Sequence, residues 1–505
     1  IYIFSILAVF ILVIALLNYI NLSTARATER AKEVGIRKVS GAQRGQLIRQ
    51  FLFESFLMML ISCSVALGLL AIMLPYVNTL LPTKLEVDWL GAFGATGIVF
   101  LISWLLAGLY PAFVLTSFKP VQVLKGNFRQ SSQGLWLRKT VTVTQFAIAA
   151  ALILGTIVIY TQMKFIRNKD LGYNKDQLLA VYMPNDSVYE GSVRAFQNEL
   201  RSRPEVKGIT VGSRMTVEGI SIGSTTVENQ GKKRQLMVNY FNVDTNYLPL
   251  FGIKLAEGRN FSGVYGTDKE EACIVNEAFV KTIGWKNGLG QFVDRGGPKK
   301  MRIVGVIRNY IYRSVHNPVE PLILVYNDNP FFKSTTVKIR PASLPLVQAI
   351  FKKNFPALPF DYGFMDDLVN KQYESDRTTM SLFNDFTILA ILLSCLGLYG
   401  LVALIAAQRT REIGIRKVLG ATLLQLFTLM TKDFVILVGF GILVALPVAG
   451  FLMQGWLAAY AFHINLYWWM FLIPVVFLMI ITLITISKEV IKSAVKNPAN
   501  VLKEN

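Results

Sequence analysis

The chain has 505 residues, of which 53% are hydrophobic, and its formal net charge is +20 at pH 7. This apolar content exceeds what a soluble globular domain needs and indicates several membrane-spanning segments. Of the 20 excess positive charges, 7 lie in residues 166–378 and the other 13 lie mostly in short segments beside apolar runs. That placement is typical of a membrane topology signal and argues against a nucleic-acid-binding protein.

Charge-free apolar runs recur along the chain, each long enough to cross about 30 Å of hydrocarbon as a helix. The last run, 434–487, is too long for one crossing and is divided near Tyr460–Leu466, where polar and aromatic interface residues occur. The sequence therefore predicts seven spans, at 1–25, 55–83, 89–118, 140–163, 386–408, 434–457 and 468–487.

The connections between the spans differ in charge. On one side, the short segments 84–88 and 458–467 hold one Lys and no Arg. On the other side, the segments 23–50, 118–140, 408–432 and 487–505 together hold 21 Lys and Arg against 5 acidic residues. This asymmetry predicts that the basic segments face the cytoplasm and that the large polar segment 166–378 lies on the other side of the membrane.

Residues 166–378 differ sharply from the apolar runs on either side. Short pieces rich in β-branched and aromatic residues alternate with polar pieces of helical pattern, and glycine-rich turns lie between them. The length of the segment favours a mixed α+β domain of two subdomains. The predicted strands are LLAVYM (178–183), GITVG (208–212), CIVN (273–276), MRIVGVI (301–307), LILVY (322–326) and TTVKI (335–339).

One stretch of the sequence occurs twice. Residues 33–42 read EVGIRKVSGA and residues 412–421 read EIGIRKVLGA, at an offset of 379 residues and with eight of the ten positions identical. A second match links residues 119–125 to residues 497–503 at an offset of 378. Two matches in the same order at nearly the same offset indicate a duplicated unit.

Each copy of the duplicated unit carries three predicted spans, so two copies of the same orientation need one additional crossing between them. The run 140–163 provides it, which predicts two units related by an axis along the membrane normal. The second unit is also preceded by a span and an outer domain. If that arrangement was copied as a whole, we expect about 240 further residues before Ile1 in a longer protein.

The repeated motif is predicted to continue the preceding span as a cytoplasmic helix that ends or bends at Gly420. Positive-inside anchors explain its charges, but they do not explain the ordered repetition of the residues around them. Gly35 and Gly414 each cost about 1 kcal/mol in a helix interior, which favours close backbone approach to a partner. An amphipathic stripe follows, which could lie in the membrane interface or dock on a cytoplasmic partner: Leu423, Leu426, Phe427 and Met430, with counterparts Leu47, Ile48 and Phe51.

Several kinds of chemistry are disfavoured by the sequence. No stretch matches G-x-x-x-x-G-K-[ST], so any ATP that drives this protein must be bound by another chain. The two histidines, His316 and His463, lie far apart and are interpreted as surface or interface residues rather than metal ligands. No predicted span carries an ionisable residue at its centre, which argues against a proton-driven transporter.

These motifs resemble those of a known family. EIGIRKVLGA after an apolar run ending in QRTR, followed by a three-span unit, closely resembles the FtsX-like permease domain of MacB-type ABC transporters. The tandem arrangement is similar to that of the double-unit permeases of the family. The outer segment resembles the periplasmic core domain of the same permeases in IVNEAFVKTIGW (274–285), VGVIRNYIYRSVHNPVEPLIL (304–324) and FMDDLVNKQYESD (364–376).

The resemblance implies an α-helical membrane protein with seven transmembrane helices in two parallel FtsX-like units, plus an extracytoplasmic α+β domain of the MacB periplasmic core type. It implies a multi-pass protein of the bacterial inner membrane whose large domain is extracytoplasmic. The implied domains are a first unit at 1–130, a linking helix at 140–165, the periplasmic core-like domain at 166–378 and a second unit at 380–505.

The resemblance also implies a non-catalytic permease subunit with no cofactor of its own, which pairs with a separate cytoplasmic ABC ATPase that binds the ATP. Membrane lipid and a periplasmic adaptor or envelope protein are further expected partners, and nucleic acid is not. The implied ATPase contacts are Glu33, Gly35, Ile36, Arg37, Lys38 and Gly41, with Glu412, Gly414, Ile415, Arg416, Lys417 and Gly420.

The implied function is to couple ATP hydrolysis to movement of the outer domain, for export or extrusion of a peptide, lipoprotein or drug-like substrate. Two alternatives stay open. One is a mechanotransmitting regulator or sensor of the cell envelope that moves no cargo, and the other is a membrane receptor unrelated to ABC transporters. MacB proteins carry an ATPase fused ahead of a single unit, whereas this chain shows two units and no ATPase, so macrolide export does not carry over to it.

Overall fold

The chain divides into two compact structural units, called unit 1 and unit 2, which differ from the two duplicated units predicted from the sequence. Unit 1 comprises Ile1–Ile159, Met380–Gln454 and Leu466–Asn505, and unit 2 comprises Tyr160–Thr379 and Gly455–Asn465. The second sequence match, at 119–125 and 497–503, falls outside the residues that the structure describes. The computed structural model describes residues 2–80, 86–117, 132–184, 186–213, 221–296, 300–327, 334–408 and 410–495.

Long helices dominate the first and last parts of the chain, and short helices lie between them. In chain order, the α-helices of the described residues are α1 (Tyr2–Val39), α2 (Arg44–Leu80), α3 (Trp89–Ser117), α4 (Ser132–Asn168), α5 (Glu190–Arg201), α6 (Tyr247–Phe251), α7 (Asp268–Glu271), α8 (Glu277–Ile283), α9 (Leu344–Asn354), α10 (Met365–Lys371), α11 (Glu374–Gln408), α12 (Thr410–Val418), α13 (Leu423–Leu457) and α14 (Trp468–Val495).

The apolar helices agree in part with the predicted spans. Two of the predicted spans coincide with α1 and α3, whose described apolar stretches, Ser5–Ile20 and Trp89–Leu105, are shorter than a span, so a count of seven stays a prediction. Five described stretches are long and apolar enough to cross a membrane: Arg44–Tyr76, Lys139–Asn168, Glu374–Ala403, Leu424–Leu457 and Trp468–Lys488.

Helix α4 contacts both α13 and α11 in unit 1. A Cβ built on Gly441 of α13 would lie 2.7 Å from the carbonyl oxygen of Val143, so α13 approaches the backbone of α4 closely. On the side of α11, the hydroxyl oxygens of Thr156 and Thr387 lie 2.7 Å apart, and Thr387 Oγ1 also donates to the carbonyl of Leu152 (3.2 Å). Small residues and hydroxyl groups of this kind are typical of helix contacts inside membranes.

The strands all belong to one sheet in unit 2. They are β1 (Leu178–Tyr182), β2 (Gly208–Gly212), β3 (Ser221–Asn229), β4 (Lys232–Val243), β5 (Leu255–Gly258), β6 (Ala272–Asn276), β7 (Phe292–Asp294), β8 (Met301–Ile307), β9 (Leu322–Tyr326), β10 (Ser334–Lys338) and β11 (Tyr362–Phe364).

The sheet has two parts. Strands β11, β1, β10 and β2 pair in that order, all antiparallel, and their buried side chains form one core with α5 and α9. Strand β2 meets β4 at a single residue pair, Gly212 and Val243. From β4 the order continues through β3, β7, β8 and β6 to β9, and β9 pairs in parallel with β4, which closes a ring of strands.

The ring is buried on both faces at β9. Leu322, Leu324 and Tyr326 contribute to one hydrophobic cluster, and the alternate residues Ile323 and Val325 contribute to another, which includes a side chain from every strand of the ring. This explains why LILVY is a continuous apolar run rather than an alternating one.

All six predicted strand sequences form strands in the structure, but the longest hairpin was not predicted. Strands β3 and β4 are antiparallel neighbours joined by a turn of two residues. Their pairing begins with Asn229 opposite Lys232, next to the turn. Both turn residues, Gln230 (φ 51°) and Gly231 (φ 75°), have the positive φ of a type I′ turn.

Candidate functional site

The first copy of the repeated motif forms the corner between α1 and α2. After α1 ends at Val39, the amides of Gly41 and Ala42 donate to the carbonyls of Lys38 (3.1 Å) and Arg37 (2.9 Å). This pattern is a Schellman motif, in which the turn residue is left-handed. Gly41 has φ +96° and no atom within 4 Å of a Cβ built on it, so glycine is needed there for its backbone conformation rather than for space.

The second copy forms the same turn between α12 and α13. Gly420 has φ +91°, and the amide of Ala421 donates to the carbonyl of Arg416 (2.9 Å). The amide of Leu419 donates to the carbonyl of Ile415 (3.0 Å). We call residues 33–47 the first corner and residues 412–426 the second corner.

The helix that leaves each corner is capped in the same way. In the first corner, Gln46 Oε1 accepts from the amide of Gln43 (3.1 Å). In the second corner, Gln425 Oε1 accepts from the amide of Thr422 (3.0 Å), and Thr422 Oγ1 accepts from the amide of Gln425 (3.3 Å), which completes a capping box. The apolar stripe at Leu423 therefore begins α13 itself, not a separate interfacial helix.

Each corner carries one ion pair along its helix surface. Arg37 lies 2.7 Å from Glu33, and Arg416 lies 2.8 Å from Glu412. Exposed pairs at this spacing stabilise a helix by only about 0.5 kcal/mol, so they favour one direction of the guanidinium group without fixing it. Burial, followed by the nearby Arg44 guanidinium, lowers the pKa of Lys38.

Apolar residues of the corners are either deeply buried or widely exposed. Matching residues at the repeat offset are buried within unit 1: Val34 and Ile413 are 3% and 5% exposed, and Leu47 and Leu426 are similarly buried. By contrast, Ile36 is 50% exposed and Ile415 is 45% exposed. Each corner thus places an exposed isoleucine beside an ion-paired arginine, and this combination is suited to binding another protein.

The twelve predicted contact residues all lie in or beside these helices and turns. Gly35 lies within α1, and Gly414 and Lys417 lie within α12, but the surroundings of these three residues are outside what the structure describes. Close backbone approach of a partner at the two glycines therefore stays a prediction.

A second cluster lies in unit 2 and includes the loop between α13 and α14. We call His316, Asp376 and Tyr460 the clasp. His316 Nε2 lies 3.1 Å from Asp376 Oδ2, and the Tyr460 hydroxyl donates to Asp376 Oδ1 (3.1 Å). The rings of His316 and Tyr460 are stacked, with centroids 4.1 Å apart. Burial, followed by the Asp376 carboxylate, raises the pKa of Tyr460, so its hydroxyl keeps the proton that it donates.

Backbone hydrogen bonds join the same loop to the outer domain. The amide of Ala461 donates to the carbonyl of His316 (3.1 Å), and the amide of Phe462 donates to the carbonyl of Val315 (3.2 Å). Val315 is fully buried, and its own amide donates to the hydroxyl of Tyr373 (3.1 Å). The loop is therefore an integral part of unit 2.

Helix α4 also holds this loop. The buried Gln162 side chain donates to the carbonyl of Phe462 (3.0 Å) and accepts from the amide of Ile464 (3.0 Å). Lys169 Nζ lies 5.0 Å from the centroid of the Phe462 ring, a cation–π contact. Side chains of α4 and α11 thus both contact the loop between α13 and α14.

Replacing Asp376 by Asn is expected to loosen the loop on the outer-domain side only. A hydrogen bond to a charged group contributes about 1.5–3 kcal/mol, so hydrogen–deuterium exchange at the amides of Ala461 and Phe462 should accelerate roughly tenfold or more. The amide of Ile464, which Gln162 holds, is the internal control. Equal acceleration at all three amides would contradict a local role for the clasp.

Sequence reasoning did not bring the clasp together. His316 and Asp376 are 60 residues apart, and Asp376 and Tyr460 are 84 residues apart. Each of the three clasp residues lies in a segment that the sequence analysis names, but no local sequence pattern indicates that the three side chains are in contact. Among the described residues, no group of three or more His, Cys, Asp or Glu side chains is placed to hold a metal ion.

Two family models match successive parts of the chain. The FtsX-like permease C-terminal family matches residues 5–120 and matches again at residues 386–492. Between these two matches, the MacB-like periplasmic core domain family matches residues 140–343.

Curated relatives match shorter parts of the chain. The uncharacterized ABC transporter permease YknZ of Bacillus subtilis (strain 168) is 30% identical over 110 residues, which are 22% of this chain and 27% of that protein. The macrolide export ATP-binding/permease protein MacB of Neisseria meningitidis serogroup A is 30% identical over 127 residues, which are 24% of this chain and 19% of that protein. This chain therefore spans less than a third of the length of these relatives.

The periplasmic region of MacB from Actinobacillus actinomycetemcomitans is similar to this chain at 16% identity and a TM-score of 0.31, over 41% of this chain and 98% of that one. Because the FtsX-like family matches on both sides of a MacB-like periplasmic core match, the chain belongs to the MacB-type, FtsX-like permeases of ABC transporters.

Proposed function

We propose that this protein is a permease subunit that couples ATP hydrolysis by a separate cytoplasmic ATPase to movement of its outer domain. The movement serves export or extrusion of a peptide, lipoprotein or drug-like substrate. The observation that carries the proposal is the corner, which the chain forms twice with the same turn, the same ion pair and the same exposed isoleucine.

The ATPase would bind the corners through both charge and apolar contact. Arg37 and Arg416 are ion-paired with their glutamates, and Ile36 and Ile415 project next to them as exposed apolar groups. A partner surface with an apolar pocket and an acidic rim fits this combination. One ATPase would dock at each corner.

Helix α11 supplies a route from a corner to the outer domain. It begins at Glu374, beside the clasp residue Asp376, and ends at Gln408, directly before the helix of the second corner. Its 35 residues give a length of about 50 Å, more than the thickness of the hydrocarbon. In this proposal, a shift of the second corner reaches the clasp along α11, and α4 holds the same loop through Gln162.

The membrane arrangement is part of the proposal. Seven spans form two parallel units, with domains at 1–130, 140–165, 166–378 and 380–505, and the protein lies in the bacterial inner membrane with its large domain extracytoplasmic. Support comes from five sufficiently long apolar helices, from two further apolar stretches and from the asymmetry of Lys and Arg between the connections. Membrane lipid and an adaptor or envelope protein are further proposed partners.

Charge reversal at the corners tests the coupling. The protein is co-purified with the ATPase encoded beside it, with Arg37, Lys38, Arg416 and Lys417 all changed to Glu. We expect association and permease-dependent ATP hydrolysis to be lost, because four attractive charges become repulsive. Membrane insertion, measured by fractionation, should be unchanged.

A charge swap provides the matched control. The variant with Glu33→Arg, Arg37→Glu, Glu412→Arg and Arg416→Glu keeps both intrahelical pairs but exchanges their positions. If the charge-swap variant loses association as the charge-reversal variant does, docking depends on the positions of the charges and not on helix stability. Normal association of both variants would show that these charges only set topology. Altered wall hydrolysis without efflux in the wild type would point to an envelope regulator instead of a transporter.

A further inference from the structure

A groove lies where the two parts of the outer sheet meet. Its volume is about 510 Å³, which is in the range of small-molecule sites. The chain around the start of β2 forms one side of the groove, and helix α6 forms the other. The two sides meet at Gly208, where an added Cβ would lie 2.5 Å from Leu250 Cδ1, so α6 lies directly against the strand. A ligand in this groove would therefore contact both parts of the sheet.

Three cationic residues line the groove. They are Arg201 at the end of α5, Lys207 just before β2 and Lys338 at the end of β10. The amide of Lys207 donates to the carbonyl of Lys338 (2.9 Å), so the two lysines start from neighbouring backbone positions. Glu205, in the same loop as Lys207, is exposed and does not line the groove. Among the described residues, neither lysine side chain forms an ion pair.

One buried carboxylate beside the groove, that of Asp244, is already satisfied by other partners. It accepts from the hydroxyl of Thr210 and from the amides of Val211 (3.0 Å) and Asn246 (3.1 Å). Burial raises the pKa of this carboxyl, and the hydrogen bonds, followed by the charge of Arg201, oppose the rise. The Arg201 charge thus acts on Asp244, and the two lysine charges are left for a ligand.

We propose that this groove binds a phosphate monoester that carries a compact apolar group. Two unpaired ammonium groups match the roughly two negative charges of a phosphate monoester at neutral pH, and its terminal oxygens can accept hydrogen bonds from both. Pro249 and Leu250 of α6 provide the apolar surface. The ester is either a soluble molecule or the headgroup of a phospholipid. This inference goes beyond the proposed transport role and does not depend on docking of an ATPase at the corners.

A ligand in the groove would strengthen the joint between the two parts of the sheet. Strands β2 and β4 form only one residue pair there. Backbone hydrogen bonds at the joint run from the amide of Asp244 to the carbonyl of Val211 (3.2 Å) and from the amide of Ser213 to the carbonyl of Asn242 (2.8 Å). A ligand held by β2, β10 and α6 adds contacts across this joint, so the joint should open less often when the ligand is bound.

Calorimetric titration of the full-length protein in phosphatidylcholine nanodiscs tests the site. The probes are phenyl phosphate, inorganic phosphate and benzoate. Phenyl phosphate should bind roughly tenfold more tightly than either of the others, because inorganic phosphate lacks the apolar group and benzoate carries less negative charge. Equal affinity for inorganic phosphate or for benzoate would overturn the proposal, and a preference for benzoate would point to an acidic peptide as the ligand.

Charge reversal at the two lysines tests which residues bind the phosphate. Lys207→Glu with Lys338→Glu should weaken binding of phenyl phosphate roughly 100-fold or more, because two attractive charges become repulsive. Lys207→Gln with Lys338→Gln adds no new charge to the fold and should weaken binding roughly tenfold. Lys286→Glu with Lys352→Glu is the matched control at exposed lysines outside the groove, and it should bind as the wild type does. Wild-type affinity in both groove variants would overturn the proposal.

Hydrogen–deuterium exchange tests whether the ligand bridges the two parts of the sheet. With phenyl phosphate at about ten times its dissociation constant, exchange at the amides of Ser213 and Asp244 should slow roughly tenfold in the wild type. The variant with both groove lysines changed to Glu should show no such change. Binding without slower exchange at these amides in the wild type would overturn the bridging role.

The lipid composition of the nanodiscs distinguishes the two sources of the phosphate. Part of the phosphatidylcholine is replaced by phosphatidic acid, whose headgroup is a phosphate monoester. If the natural ligand is a lipid headgroup, phosphatidic acid should compete and weaken the binding of phenyl phosphate. An unchanged affinity would assign the groove to a soluble ester.

Discussion

Glutamate at both Ile36 and Ile415 is expected to abolish permease-dependent ATP hydrolysis at physiological protein concentrations. Both side chains are about half exposed in the structure. Complete burial of an isoleucine contributes about 1.5–3 kcal/mol, and a carboxylate placed in an apolar pocket adds a desolvation cost. The affinity of each corner for the ATPase should therefore fall roughly 100-fold or more, measured by titrating the ATPase against the permease in nanodiscs.

The control for this prediction carries the same chemical change elsewhere. Val188 and Val264 are 81% and 89% exposed on the outer domain, so Val188→Glu with Val264→Glu alters two exposed apolar residues without touching a corner. This variant should hydrolyse ATP as the wild type does. Wild-type affinity in the corner variant would mean that Ile36 and Ile415 face lipid or solvent rather than the ATPase.

The second large effect is expected at an ion pair of the outer domain in which the Asp268 side chain is buried and the Arg259 side chain is 39% exposed. Arg259 makes two parallel hydrogen bonds to Asp268, with Nη1 2.6 Å from Oδ2 and Nη2 2.7 Å from Oδ1. Asp268 is 1% exposed and also accepts from the amide of Ser262 (3.0 Å). The hydrogen-bonded Arg259 guanidinium holds the pKa of the Asp268 carboxyl below its usual range.

Arg259→Leu is expected to destabilise the outer domain by about 1.5–3 kcal/mol at pH 7, because it removes two hydrogen bonds from a charged group and leaves the Asp268 carboxylate without its cation. In the wild type, the depressed pKa means that this pair contributes stability above the unfolded pKa of Asp268 and loses it as pH falls through the folded pKa. In the variant, the lowering by Arg259 is lost while burial still raises the pKa of Asp268, so the carboxyl is protonated at a higher pH than in the wild type and protonation relieves part of the cost. The difference from wild type should therefore shrink as the pH is lowered from 7 towards the unfolded pKa of Asp268.

Thiol labelling of Cys273 measures this loss in the intact protein. Cys273 is fully buried, and burial raises the pKa of its thiol, so it reacts after local opening of the domain. With Cys63 and Cys395 changed to Ala, Arg259→Leu should accelerate labelling roughly tenfold or more at pH 7. Arg194→Leu, which breaks the exposed pair with Glu190, should change it less than threefold. Wild-type labelling of the Arg259→Leu variant would contradict the prediction.

The corners were predictable because their information is local. A glycine at the turn, a capping residue before the next helix and a glutamate one turn before an arginine act within a few residues, and the duplication shows them twice. The exposure of Ile36 and the burial of Val34 depend on the packing of α1 in unit 1, so the sequence alone did not separate the two roles.

The outer domain was predictable in part. The six strands that are rich in β-branched residues were recognised, because burial on one or both faces leaves a compact apolar pattern. The β3–β4 hairpin was missed because β4 begins with the exposed polar run Lys232–Gln235 and its turn lacks the common Asn-Gly signal. The clasp was missed because three distant segments supply it, and only the tertiary fold brings them together.

The spans show a similar division. Apolar length predicts helices well, and the helices α2, α4, α11, α13 and α14 have it over the described residues. The contact between Asn18 of α1 and Gly397 of α11, where a Cβ built on the glycine would lie 2.9 Å from Asn18 Cγ, has no such signal, since an asparagine in one apolar run and a glycine in another are individually ordinary. The repeat offset alone identifies them as equivalent positions, and only the structure shows that they meet.

Closure of the strand ring does not cover every strand edge of this domain. Among the described strands, β4 pairs with β9 only over Asn239–Val243, so Lys232–Val238 of β4 pair with β3 alone. This free edge begins with three exposed cationic side chains, Lys232, Lys233 and Arg234, and charged residues discourage another extended chain from adding itself to a sheet edge. Unfolded polypeptides in the same compartment are therefore kept from this edge by charge rather than by closure of the ring.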